Sequence, residues 1–103
     1  MKKLIPNAVE ASQRAIKAQP NDPVVRYTAA LTYFSAEQWP EAEASLTTVI
    51  TINPKAWDAY ELLGKVYAAR QKKDDARKIL QSLLEKNPAY VNKDGVQNLM
   101  DSL

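Results

Sequence analysis

The acids with the spacing to do chemistry are Asp58 with Glu61 and Asp74 with Asp75. Two carboxylates act as general acid and base when a cleft pushes their pKa values apart and a nucleophile or second base stands beside them. Neither pair belongs to a cleft or has a basic nucleophile partner, and the chain contains no histidine and no cysteine. The same absences remove imidazole and thiolate metal ligands, disulfides and the commonest general base. Gly64 and Gly95 are the only glycines, so no Gly-rich phosphate loop can form. Helix capping and solvation account for the acids. Asp74 and Asp75 suit the positive end of a helix, and Glu61 stands four residues before Lys65, an ion pair worth about 0.2–0.5 kcal/mol. No enzyme activity, cofactor or metal is expected.

Charge narrows the partners. Fourteen basic and 12 acidic residues give a net charge of +2, too small to draw the chain to nucleic acid or an anionic membrane. The run Arg70, Lys72, Lys73, Arg77, Lys78 is interrupted by Asp74 and Asp75 and reads as a solvated helix end. The aromatics Tyr27, Tyr33, Phe34, Trp39, Trp57, Tyr60, Tyr67 and Tyr90 recur at helical spacing and suit packing before base stacking. A helical RNA-binding repeat is therefore the weaker reading. Met1, Lys2 and Lys3 begin as a signal peptide does, but Pro6, Asn7 and Glu10 cut the apolar run short. No stretch approaches the roughly 18 apolar residues of a membrane span. We expect a soluble chain with no membrane insertion, the cytoplasm being favoured.

The elements that must position any binding residue are all helical. Apolar residues at 3.6-residue spacing predict helices over about 5–18, 23–36, 40–52, 55–70, 74–86 and 93–102. Asp22 before Pro23 is an N-cap followed by a proline tolerated in the first turn. The interior VVRYTAALTYFSA of the second helix is apolar nearly all round, which requires neighbours on more than one face.

These helices repeat at an offset of about 34 residues. The shift aligns Ala8, Ala42 and Ala76; Ala15, Val49 and Leu83; Ile16, Ile50 and Leu84; Pro20, Pro54 and Pro88. It also pairs Ala30 with Gly64, Tyr33 with Tyr67 and Asn53 with Asn87. Neither helix of a unit could bury its apolar face alone, so stacked pairs must supply the core. The chain then divides into a half unit (5–20), two full units (23–56 and 57–90) and a last helix (91–103) within one domain. Ala8, Ala42 and Ala76 are expected in like environments, at close helix approaches.

Tyr60, Leu63, Gly64, Tyr67, Ala76, Leu80, Leu83 and Pro88 together resemble the tetratricopeptide repeat (TPR) family. The earlier unit supplies Ala30, Tyr33, Ala42, Leu46, Val49 and Pro54, but has Arg26 where a large apolar residue is usual and Ala29 where leucine is usual. That unit should pack less well. The resemblance implies an all-α fold, an α-solenoid of antiparallel helix pairs in a right-handed superhelix, with about six helices. Residues 91–103 would be a capping helix or the first helix of a further unit.

The resemblance also implies a concave groove, lined by the first helix of each unit, that binds a partner's extended peptide or helix. Carried over to this chain, its residues are Val24, Tyr27, Leu31 and Phe34, then Asp58, Glu61, Lys65 and Ala68. Tyr27, Leu31 and Phe34 are either a binding stripe or core under the first helix, and the sequence leaves both open. Some relatives clamp a terminal carboxylate with lysines and asparagines, and only Lys65 stands on the second row. The expected function is a protein–protein interaction module, a piece of a larger scaffold. The alternative is self-association, the incomplete ends stacking into a homo-oligomer.

Overall fold

The computed structural model describes residues 4–103, and the Met1, Lys2, Lys3 start lies outside them. Among the described residues there are six helices and no strand: α1 (Leu4–Ala18), α2 (Pro23–Ser35), α3 (Trp39–Ile52), α4 (Trp57–Ala69), α5 (Lys73–Lys86) and α6 (Lys93–Asp101). Each starts and stops within two residues of the periodic pattern. The largest shift at a helix start is at α4, which begins at Trp57 rather than Lys55. Asn53 caps α3 in extended conformation, and its side-chain oxygen accepts from the Lys55 amide at 3.1 Å, holding 53–55 outside any helix. α3 begins at Trp39, one residue before the expected start at Pro40.

The chain gathers into two compact units divided between Lys55 and Ala56. In the first, α2 packs on both α1 and α3, which is why its sequence is apolar on so many sides. Its core is Val9 and Ser12 from α1, Ala29, Ala30 and Tyr33 from α2, and Ala42, Ser45, Leu46 and Val49 from α3. Asp22 caps α2 as expected, its carboxylate accepting from the amides of Val24 (2.8 Å) and Val25 (3.2 Å). In the second unit, α4 packs on α5 and α5 more lightly on α6. Leu80 and Leu83 are completely buried, each contributing on the order of 1.5–3 kcal/mol. Gly64 lets α5 close in: a Cβ there would meet Leu80 Cγ at 2.7 Å.

The α2–α3 and α4–α5 turns are built alike. Glu37 and Gln71, which hold the same place in successive repeats, adopt φ of 58° and 60°. Gln38 N donates to Tyr33 O and Lys72 N to Tyr67 O, each at 2.9 Å, closing the same left-handed C-terminal motif. A side chain in this region costs about 1–2 kcal/mol, part of which glycine returns as greater freedom when unfolded. Gln71→Gly is expected to stabilise the chain by on the order of 0.5–1 kcal/mol in urea unfolding. A lower midpoint would mean that the Gln71 side chain holds the turn.

The three-fold equivalence of Ala8, Ala42 and Ala76 does not hold. Ala42 and Ala76 are completely buried, whereas Ala8 is exposed. The alanines of the full units are covered by the first helix of their own pair. Among the described residues no helix stands in that place over α1, so Ala8, Ala11 and Ala15 face outward. On α6 the positions one repeat beyond Tyr60, Leu63, Gly64 and Tyr67 are Asp94, Gln97, Asn98 and Asp101, all exposed. These positions are polar and exposed, so α6 does not repeat the apolar, largely buried set that α4 presents there.

Candidate functional site

Val24, Tyr27, Leu31 and Phe34 fall at i, i+3, i+7 and i+10 on α2, hence on one face. Val24 is 72% and Leu31 45% exposed, while Tyr27 and Phe34 are half-buried. The stripe is thus neither closed core nor fully open. The Phe34 ring stands edge-on to Trp39 with centroids 5.2 Å apart, which fixes it at the end of the row. Only four large hydrophobic residues among those described are strongly exposed, and two of them stand together here.

The row on α4, in the second unit, has different chemistry. Asp58 and Lys65 are exposed, and Glu61 and Ala68 half-buried. Glu61 pairs with Lys65 at 3.6 Å, the i, i+4 contact read from the sequence. The Tyr90 hydroxyl donates to Glu61 Oε1 at 2.7 Å and approaches Asp58 Oδ1 at 3.2 Å. Asn92 Nδ2 donates to Glu61 Oε2 at 2.6 Å. The segment between α5 and α6 is thereby tied to α4. Burial, then the charges of Glu61 and Asp58, push the Tyr90 hydroxyl well above its usual range. Asp58 and Glu61 therefore hold a structural link as well as presenting charge.

Tyr90 and Asn92 were not legible as partners of this row, because nothing local to 90–92 marks an approach to α4. The one available signal was the aromatic at Tyr90, one repeat beyond Ala56 and so without an aromatic counterpart. No group of three or more acids that could hold a metal occurs among the described residues. No helix among them is long and apolar enough to cross a membrane.

A family model described as tetratricopeptide repeat matches residues 33–100, well over half of the sequence. The chain belongs to the tetratricopeptide repeat family. No curated protein matches it. Among solved structures it is similar to the first TPR of Spaghetti (RPAP3) bound to the HSP90 peptide SRMEEVD, with 22% identity over 98% of this chain and 81% of that one, TM-score 0.80. It is similar too to the TPR2B domain of yeast Sti1 in a pHsp70 complex, with 22% identity over 96% and 82%, TM-score 0.81. MamA gives 24% identity over 98% of this chain and 60% of its own, TM-score 0.81. Identities this low carry the TPR fold and no more. Within that fold, α2 with α3 and α4 with α5 are the two helix pairs of the repeat.

Proposed function

We propose that this TPR chain is an interaction module that binds a peptide or helix of a partner protein through the first helices of its repeats. The observation that carries this reading is the partly exposed stripe Val24, Tyr27, Leu31 and Phe34 on α2, an apolar face that a partner's side chains would cover. In the second unit, the α4 row Asp58, Glu61, Lys65 and Ala68 presents charged groups suited to polar parts of a partner. TPR structures bound to HSP90 and HSP70 peptides support the mode of binding. They do not supply the ligand, because the EEVD ends of those peptides are strongly acidic and the α4 row has one lysine, already paired with Glu61. An apolar partner suits the α2 stripe better. Catalysis has no part in this reading. Self-association through stacked ends gains no support, since α6 turns Asp94, Gln97, Asn98 and Asp101 outward.

The test is selection of peptides from a random display library on the purified chain, followed by direct affinity measurement of the winners. Enriched sequences are expected to carry large apolar residues and to lose at least about tenfold in affinity on the Leu31→Ser, Phe34→Ser double variant, roughly 1.4 kcal/mol. Circular dichroism of that variant should remain helical. Unchanged affinity would remove the α2 stripe from the site, and global unfolding would assign Leu31 and Phe34 to the core.

A further inference from the structure

The side of α2 about 130° around the helix from the centre of the Val24–Phe34 row floors a second feature. Gln13 and Ile16 of α1, Arg26 and Tyr33 of α2, and Glu41 and Ser45 of α3 line an open cleft of about 210 Å³ within the first unit. Ala44 lines it too, and four identities in and beside this region differ from those of the second unit. One repeat further along the chain, Arg26 corresponds to Tyr60, Ala29 to Leu63, Ala44 to Lys78 and Ser45 to Ile79. In the second unit Tyr60 and Leu63 are buried, at 2% and 4% exposure, and the Tyr60 ring lies 5.5 Å from that of Trp57. The first unit is short of a ring and of aliphatic bulk at the matching places. Arg26 does not make up the loss, because its Nε donates to the Pro20 carbonyl at 2.7 Å and draws the side chain toward the α1–α2 turn.

Ser45 is the second, independent observation. It is 1% exposed, and its Oγ has no hydrogen-bond partner among the described residues. Hydroxyls within a helix commonly bond back to the carbonyl four residues earlier. Thr48 and Thr51 of the same helix do so, at 3.0 and 2.8 Å. Ser45 does not, so a buried hydroxyl on the cleft wall is left for something else. Burying it unpaired is costly, and a ligand that satisfied it would recover that cost.

The shape and chemistry define the ligand. An apolar cavity of about 150 Å³ holds benzene, so this cleft takes one substituted ring. A guanidinium beside it favours an aromatic face. The Ser45 hydroxyl and the Glu41 carboxylate favour a ring that carries a donor. Burial, followed by the charge of Glu41, pushes the Tyr33 hydroxyl up against a smaller opposing pull from Arg26, so it stays protonated and able to donate. The protein's own choice at the equivalent place is a phenol: Tyr60, with Lys86 Nζ 3.4 Å from its hydroxyl.

We propose that the cleft between α1 and α3 binds the tyrosine side chain of a partner protein, its ring beside Arg26 and its hydroxyl on Ser45. This site is separate from the α2 stripe and does not depend on it.

The experiment is a titration of the ¹⁵N-labelled chain with N-acetyl-tyrosinamide, N-acetyl-phenylalaninamide and p-cresol, followed through the amide signals. Saturable shifts are expected at Gln13, Tyr33 and Ser45 with the blocked tyrosine, and roughly five- to tenfold weaker binding of the phenylalanine analogue, which lacks the hydroxyl. Ser45→Ile, which installs the second unit's residue, should abolish the shifts while melting at or above the parent temperature. Ala44→Leu, at an exposed position on the lining of the same cleft, gives the same reading should Ser45→Ile fail to fold. The Leu31→Ser, Phe34→Ser variant should bind the blocked tyrosine unchanged. Non-saturating shifts, or shifts that persist in both filled variants, would overturn the site. Binding of p-cresol with exclusion of the blocked tyrosine would overturn the assignment to a partner's side chain.

Discussion

Ala42→Leu and Ala76→Leu are each expected to lower the melting temperature by on the order of 5–20 °C, while Ala8→Leu leaves it nearly unchanged. The three alanines share one place in the repeat pattern, so the substitution is chemically the same each time. Their surroundings are not the same. Ala42 and Ala76 are completely buried at the helix pairs α2–α3 and α4–α5, and three added carbons have no room there. Overpacking of this kind costs about 1–3 kcal/mol. On a domain of this size each kcal/mol moves the melt by roughly 4–8 °C. Ala8 is exposed on α1, where a leucine changes stability by no more than about 0.5 kcal/mol. Differential scanning calorimetry on the three variants decides it. A large fall for Ala8→Leu would mean that α1 is covered on that face, and no fall for Ala76→Leu would break the repeat register.

The contrast between the alanines marks where reading the sequence succeeds. Periodicity and proline placement locate helices well, because both act within a single helix. Asp22 before Pro23 specifies a helix start with no help from elsewhere, and its carboxylate is found on the Val24 and Val25 amides. The neighbours of α2 were legible for a similar reason, since a helix apolar nearly all round needs cover on several sides. A repeat register, by contrast, states which position a residue holds and not whether its covering helix is there. Ala8 shows the difference.

Tertiary contacts of polar side chains were less legible still. Glu61 and Lys65 were paired correctly because four residues on a helix bring them together. Tyr90 and Asn92 reach the same carboxylate from far along the chain, through the path of the α5–α6 connection, which no local rule supplies. The unsatisfied hydroxyl of Ser45 could not be read either. Its significance lies in the lost volume at Ala29 and Ala44 around it and in the diversion of Arg26 to Pro20. The sequence did flag Arg26 and Ala29 as departures from the family pattern, and Arg26 lines the cleft.

Tyr90→Phe is expected to cost about 1–2 kcal/mol at neutral pH and to flatten the loss of stability in alkali. The phenol donates to the Glu61 carboxylate at 2.7 Å with Asp58 at 3.2 Å, and a hydrogen bond to a charged acceptor exceeds a neutral one. The partial exposure of that cluster keeps the figure at the lower end. Its pH dependence follows from linkage. Burial and the two carboxylates raise the folded-state pKa of Tyr90 above the usual 10.0, so the folded chain holds a proton that the unfolded chain releases first. The contribution is complete below the unfolded value of about 10 and falls progressively as the pH rises above it. Urea unfolding from pH 7 to 11 should therefore show a steeper alkaline decline in the parent than in Tyr90→Phe. Tyr33, which burial also raises, leaves a residual slope in both. Glu61→Gln keeps an acceptor for the phenol but removes one charge, so its curve should lie between the other two. Parallel curves for all three would mean that the Tyr90 hydroxyl does not bind Glu61 in solution, and the link from the α5–α6 connection to α4 would then rest on Asn92 alone.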